Sequence, residues 1–301
     1  MKEFVLSVFV LLLIVSCKEE KAKANKSSKG DIAYNEAAKE THKELYGIWT
    51  GNIYPEDANQ EYTEDAAKKI SIKINKITQD SVYGQSIVAG YQRLLVGKLT
   101  DNGTKTMFVL DEPGNNKYDG RYELTLQNDT LKGSWASYKK NPDTAPLKSL
   151  ELVQKQFMYN PNFMLNDEID LTDWSHPKQE EVSYTISEEG NAEEEVVEVM
   201  DVYRSASEEV FKFNASTQKL TEEELKNLQK LDLEIIRNTI FARHGYSFKK
   251  NSIRYFFEVN PWYVPVSNNV DKELTQLEKE NIVLLTRLEK YATDHYDSFG
   301  R

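Results

Sequence analysis

The stretch Ile70-Ser71-Ile72-Lys73-Ile74 alternates apolar and polar residues without a break. A strand turns successive side chains to opposite faces, so the pattern describes a strand with one face buried and one wet. The period of two runs over 70–77 and returns at 46–53, 81–88, 92–99, 104–110, 121–126, 131–137 and 147–153. Turn formers separate several of these stretches: Asp101-Asn102-Gly103, Pro113-Gly114-Asn115-Asn116 and Asn128-Asp129. Eight short strands joined by hairpins predict an antiparallel up-and-down β-barrel or a rolled β-meander over 44–156, since closure removes exposed strand edges.

From Leu220 the period changes to that of helices. Thr221-Glu222-Glu223-Glu224 has the form of a capping box, and a short helix is expected to about 228. Asp232 is expected to cap a second helix, with Leu233, Ile236, Ile240 and His244 on one side and Gly245 ending it in a left-handed conformation. Ile253, Tyr255, Phe256 and Phe257 follow, and Asn260-Pro261-Trp262-Tyr263-Val264-Pro265 reads as an extended turn. A last helix is expected over 272–292, with Leu274, Leu277, Ile282, Leu284, Leu285 and Leu288 as its core face. The fold class is therefore α+β and multidomain, with a β domain followed by a small all-α domain over 214–295.

Net charge is −11, and its placement is informative. Residues 157–213 carry 3 basic and 15 acidic groups, while 44–156 and 214–301 are close to neutral. The chain thus lacks the basic face that nucleic acid requires, and electrostatic docking on anionic headgroups is not expected. The acidic stretch reads as a solvated spacer keeping two domains apart by repulsion. Within it 182–187 and 196–203 suggest a hairpin around Glu188-Glu189-Gly190-Asn191, without the ligand spacing of a calcium loop.

The N-terminus supplies an address. Lys2 precedes an apolar run over 4–15, about a dozen residues against the roughly 20 that cross a bilayer, which suits a signal peptide. Ile14-Val15-Ser16-Cys17 resembles the lipobox of bacterial lipoproteins. The resemblance implies cleavage after residue 16, diacylglyceryl transfer to Cys17 and acylation of its amine, so the acyl chains would be the membrane contact and the only cofactor-like group. Residues 17–43 then form a tether, poor in large apolar side chains. Lys18-Glu19-Glu20 resembles a surface-export signal of some Gram-negative outer-membrane lipoproteins. Cys17 is the single cysteine, so intrachain disulfides, thiolate metal clusters and catalytic thiols are excluded.

Two further resemblances bear on function. Gly47-Ile48-Trp49 is similar to the Gly-x-Trp signature of lipocalin-like barrels, which implies that Trp49 closes one end of the barrel. The run Arg237-Asn238-Thr239-Ile240-Phe241-Ala242-Arg243-His244-Gly245-Tyr246-Ser247-Phe248 resembles the signature of the YARHG domain, a module of bacterial envelope proteins, with Phe241 where the family has tyrosine. Leu220-Thr221, Tyr255-Phe256, Trp262-Tyr263 and Glu280-Asn281 extend the likeness.

In the helical domain Arg237, Asn238, Arg243, His244, Trp262 and Tyr263 are the candidate binding residues, since planar donors beside rings suit a sugar, a peptide or an acidic polymer. The competing reading gives the same residues to local carboxylates, loop carbonyls and a small core. The four histidines show no metal-ligand spacing. The expectation is a non-catalytic binding or scaffolding protein of the envelope that meets glycan or protein through its helical domain. A carrier of small apolar molecules in the barrel is the alternative, and a hydrolase using His244 the third.

Overall fold

The alternating stretches become eight strands in the computed structural model of the chain, which describes residues 39–56, 67–79, 81–140, 145–186 and 194–297. They are β1 (Gly47–Pro55), β2 (Lys68–Thr78), β3 (Ser81–Val88), β4 (Tyr91–Asp101), β5 (Thr106–Asp111), β6 (Gly120–Gln127), β7 (Thr130–Ser137) and β8 (Leu147–Lys155). Each pairs antiparallel with its successor, and β1 also pairs with β8, so the sheet is a closed barrel. Cys17, Lys18-Glu19-Glu20 and nearly all of the tether lie outside the described residues.

Closure sorts the side chains by phase. Ile70, Ile72 and Ile74 point inward with Leu95, Leu110, Leu124, Leu150 and Leu152, all at most 3 % exposed. A bulge between Ile74 and Lys76 restores the phase so that Ile77 also enters the core. Each such aliphatic side chain contributes roughly 1.5–3 kcal/mol when fully buried. Trp49 lies in the same core, and its indole N–H donates to the Leu45 carbonyl at 2.9 Å, binding a short 3-10 turn (Lys43–Leu45) against the end of the barrel where β1 starts. β5 begins later than the alternation suggests, because the Asn102 side chain accepts the amides of Thr104 and Lys105 and holds them in the turn.

The helical part holds α1 (Glu222–Leu225), α2 (Lys230–Arg243), α3 (Asn251–Glu258) and α4 (Gln276–Glu289). α2 starts two residues before the expected cap. Asp232 is instead the third residue of the helix, where its carboxylate accepts the Gln229 amide at 3.0 Å and also the amide and hydroxyl of Ser207. α4 starts later than expected because Thr275 and Glu278 form a capping box there. Leu231, Leu233, Ile235, Ile236 and Ile240 of α2 are buried against α3 and α4, where Phe256, Phe257 and Leu285 are solvent-free.

Residues 157–213 do not behave as a repulsive spacer. Tyr159, Phe163 and Met164 pack into the helical part, and β9 (Lys178–Ile186) pairs antiparallel with β10 (Glu194–Arg204), while the expected turn Glu188-Glu189-Gly190-Asn191 lies outside the described residues. The short β11 (Tyr296–Asp297) pairs with the end of β10. Buried Arg204 at the end of β10 ties the segment to the helical part, binding Asp173 at 3.1 Å, Asp294 at 2.8 Å and Glu234 at 3.2 Å.

Barrel and helical part also touch directly. The Lys69 amide donates to Glu258 at 3.0 Å, the Lys69 ammonium to the Asn260 carbonyl at 2.9 Å, and Lys155 to the Pro261 carbonyl at 3.1 Å. Burial dominates both charged groups: it pulls Lys69 down to about 8 and lifts Glu258 to about 7. On the outer face of β1 to β3, Thr50, Ser71 and Ile87 are almost solvent-free, and Ser71 donates to Thr50.

Candidate functional site

The six candidate residues of the helical part do not share one open face. Arg243, the last residue of α2, is 1 % exposed and directs its guanidinium to the Phe163 carbonyl at 2.6 Å, the Ser216 hydroxyl at 2.9 Å and the Met164 sulfur at 3.1 Å. Burial lowers it to about 10, against the charges of Tyr159 and Glu278. His244 follows in the cap, stacked on Tyr159 with ring centroids 4.2 Å apart and bonded through Nε2 to Glu278 at 2.9 Å. Burial alone would raise the Glu278 carboxyl. Hydrogen bonds from His244, Ser216 and the Thr275 amide, with the His244 charge, outweigh it and draw the carboxyl down to about 2. Histidine and glutamate are thus brought together, and at 5 % and essentially zero exposure both are buried.

Trp262 stacks on Phe163 at 5.3 Å and donates to the Met164 carbonyl at 2.7 Å; Tyr263, 1 % exposed, donates to the Tyr246 carbonyl at 2.8 Å. Both rings therefore serve packing, and Trp262 clamps Phe163 and Met164. Arg237 and Asn238 differ. Arg237 binds Glu289 through Nε and Nη2, Asn238 donates to the Glu234 carbonyl at 2.7 Å, and both border shallow hollows of about 270 Å³ beside Tyr246.

A different site lies at the barrel end opposite Trp49. Here the inward phase of the strands changes from aliphatic to charged and aromatic. Lys68 of β2, Arg93 of β4, Glu112 beyond β5, Tyr122 of β6, Trp135 of β7 and Lys148 of β8 line an opening of about 300 Å³. Tyr91, Tyr118 and Val88 form its rim. The volume lies at the lower end of the ~300–1,000 Å³ of small-molecule sites, and the mouths of β-barrels are among the places where such sites occur.

Glu112 is the knot of this mouth. Its carboxylate accepts the Ser86 hydroxyl at 3.1 Å, the Gly120 amide at 2.8 Å and the Trp135 indole N–H at 3.1 Å, joining β3, β6 and β7. Burial raises this carboxyl, while Trp135, Gly120, Arg93 and Ser86 oppose the rise. Arg93 donates to buried Asp119 at 2.9 Å. Lys148 rests over the Trp135 ring at 4.6 Å, lowered to about 8 by burial and then by the charge of Lys68. Among the described residues, no carboxylate makes a hydrogen bond or ion pair with Lys68 or Lys148.

The helical part reaches this rim. The turn between β3 and β4 has Ala89 and Gly90 in left-handed conformations, and Ser247 accepts the Gly90 amide at 2.8 Å. A Cβ at Gly90 would meet the Lys249 backbone nitrogen at 2.8 Å, so glycine permits the contact. Lys249 in turn lies 5.2 Å over Tyr91.

Residues 208–290 match the YARHG domain. The match covers α1 to α4 and the Arg243-His244-Gly245 cap, and leaves the barrel outside it. Neither a curated protein nor a solved structure matches the chain. In this YARHG domain the signature residues build structure: Arg243 and His244 fasten the incoming loop, Gly245 turns at φ +73°, and Ser247 holds the barrel's rim. Among the described residues no group of three or more His, Cys, Asp or Glu could hold a metal ion. The mouth residues were passed over in the sequence, although Lys68, Arg93, Glu112 and Lys148 fall on the apolar phase of their strands and carry charge.

Proposed function

We propose that the chain is a non-catalytic binding protein of the bacterial envelope, held by lipid on Cys17, whose ligand site is the mouth of the barrel. The observation that carries this reading is the contrast between the two ends of one closed barrel. The end around Trp49 is filled by aliphatic side chains, whereas the opposite end opens into about 300 Å³ lined by rings and cations. The YARHG domain acts in this reading as a brace that fixes the β3–β4 turn through Ser247. A wholly apolar cargo suits the mouth poorly, because Lys68, Arg93, Glu112 and Lys148 face it. Contact with envelope glycan or protein through the YARHG domain retains support only at the hollows beside Arg237 and Asn238. The lipobox and Lys18-Glu19-Glu20 favour an outer-membrane, surface-directed location.

Equilibrating the full chain with the low-mass fraction of an envelope extract, followed by native mass spectrometry, tests the reading. A one-to-one adduct is expected, and Val88→Trp, which fills the rim, is expected to remove it without lowering the melting temperature. An adduct that survives Val88→Trp would place the ligand elsewhere.

A further inference from the structure

We propose that the ligand of the barrel mouth is a small organic anion, a carboxylate or similar single-headed acid on a planar apolar body. The inference rests on the mouth being the binding site and adds the chemistry of its occupant.

The first argument is charge. Two lysines from non-adjacent strands, Lys68 and Lys148, both line the mouth, close enough for one to depress the other. Like charges placed together in a partly desolvated site repel, and the arrangement is costly unless a negative group joins it. The carboxylates at hand are engaged elsewhere. Glu112 spends its two oxygens on Ser86, Gly120 and Trp135, and Asp119 holds Arg93 and the Asn116 amide. The mouth therefore presents two ammonium groups that make no hydrogen bond to a carboxylate among the described residues, with only the charge of Glu112 acting on Lys148 and that of Glu258 on Lys68.

The second argument is shape. Trp135 and Tyr122 are nearly solvent-free and form the floor, while Tyr91 and Tyr118 are 53 % and 39 % exposed at the rim. A flat apolar body can slide between floor and rim, while its acid group meets Lys148 and Lys68. The volume admits one small molecule and excludes a long acyl chain, because the barrel below is packed with Ile70, Leu95, Leu110 and Leu150.

A matched pair of probes separates the parts of this argument. 2-Naphthoate and 2-naphthamide share a ring system and differ in the charge of the head group. Calorimetric titration of the full chain in detergent, against a micelle blank, is expected to show one naphthoate per chain and roughly tenfold or weaker binding of the amide, since a hydrogen bond between ions is worth about twice a neutral one. Lys148→Met is expected to bring naphthoate down to the level of the amide and leave the amide unchanged; Lys68→Met provides the same comparison where the first variant folds poorly. Naphthoate affinity is also expected to fall as pH passes above about 8, where Lys148 gives up its proton. Equal binding of the two probes, both abolished by Val88→Trp, would overturn the anion and keep the mouth. Binding of neither probe, or naphthoate binding indifferent to Val88→Trp, would overturn both.

Discussion

Replacing Glu278 by glutamine asks whether the signature histidine is there to fold the domain. The carboxylate accepts from His244 at 2.9 Å, Tyr159 at 3.0 Å and the Thr275 amide at 2.8 Å, and it is solvent-free. It falls from an ordinary 4.5 to about 2 on folding. At 1.36 kcal/mol per pH unit, that drop corresponds to about 3 kcal/mol of stabilisation. A carboxyl depressed by folding stabilises above its unfolded value and loses the effect as pH falls through its folded one. The contribution is therefore complete at neutral pH, and about 2 kcal/mol of it is gone by roughly pH 3. Glutamine keeps the shape but removes the charge and turns one acceptor into a donor. Glu278→Gln should cost roughly 3 kcal/mol at neutral pH, as breaking a buried ion pair does, and should flatten the acid limb of stability. Urea unfolding from roughly pH 3 to 7 measures both. Parallel curves for the two proteins, each losing the same stability toward acid, would refute the reasoning.

Three further outcomes follow from the same structure. Burial lifts Glu258 to about 7 against the pull of Arg254 and Lys69, so this group favours the fold below the unfolded value of 4.5 and loses the effect as pH rises through about 7. Stability should drift down by about 2 kcal/mol between roughly pH 5 and 8, and Glu258→Gln should remove the drift in urea midpoints. Gly245→Ala should destabilise by roughly 1–3 kcal/mol in the same assay, since φ is +73° and the new methyl would lie 2.9 Å from the Val264 carbonyl. Cys17→Ala should abolish fatty-acid labelling and membrane fractionation; persistence of both would remove the lipid anchor.

The strands were legible because alternation is a local signal that needs no knowledge of partners. Ile70 to Ile74 announces a half-buried strand whatever lies beside it. The pairing of β1 with β8 joins residues about a hundred apart, so closure was an expectation from strand count and edge avoidance rather than a reading. The start of α4 was legible and missed, since Thr275-x-x-Glu278 repeats the pattern recognised at Thr221. Charge counting hid the packing of 157–172. Fifteen acidic groups dominate 157–213, whereas Tyr159, Phe163, Met164 and Arg204 decide where the segment goes. For the candidate site, residue type proved a poor guide to exposure. Arg243 and His244 look like surface donors, yet an arginine that is 1 % exposed and held by three acceptors is as much a part of the core as a leucine. The mouth was visible only as a break of phase, a charge where the next inward residue was due, and its meaning depended on the barrel closing.

The central claim is that the barrel mouth, and not the YARHG domain, receives the ligand. A crystal structure of the full chain with the molecule it retains from envelope extract tests this most directly. The account predicts density between Lys148, Trp135 and Tyr122, with a negative group at the lysines. Density beside Arg237 and Asn238, with the mouth empty, would contradict it.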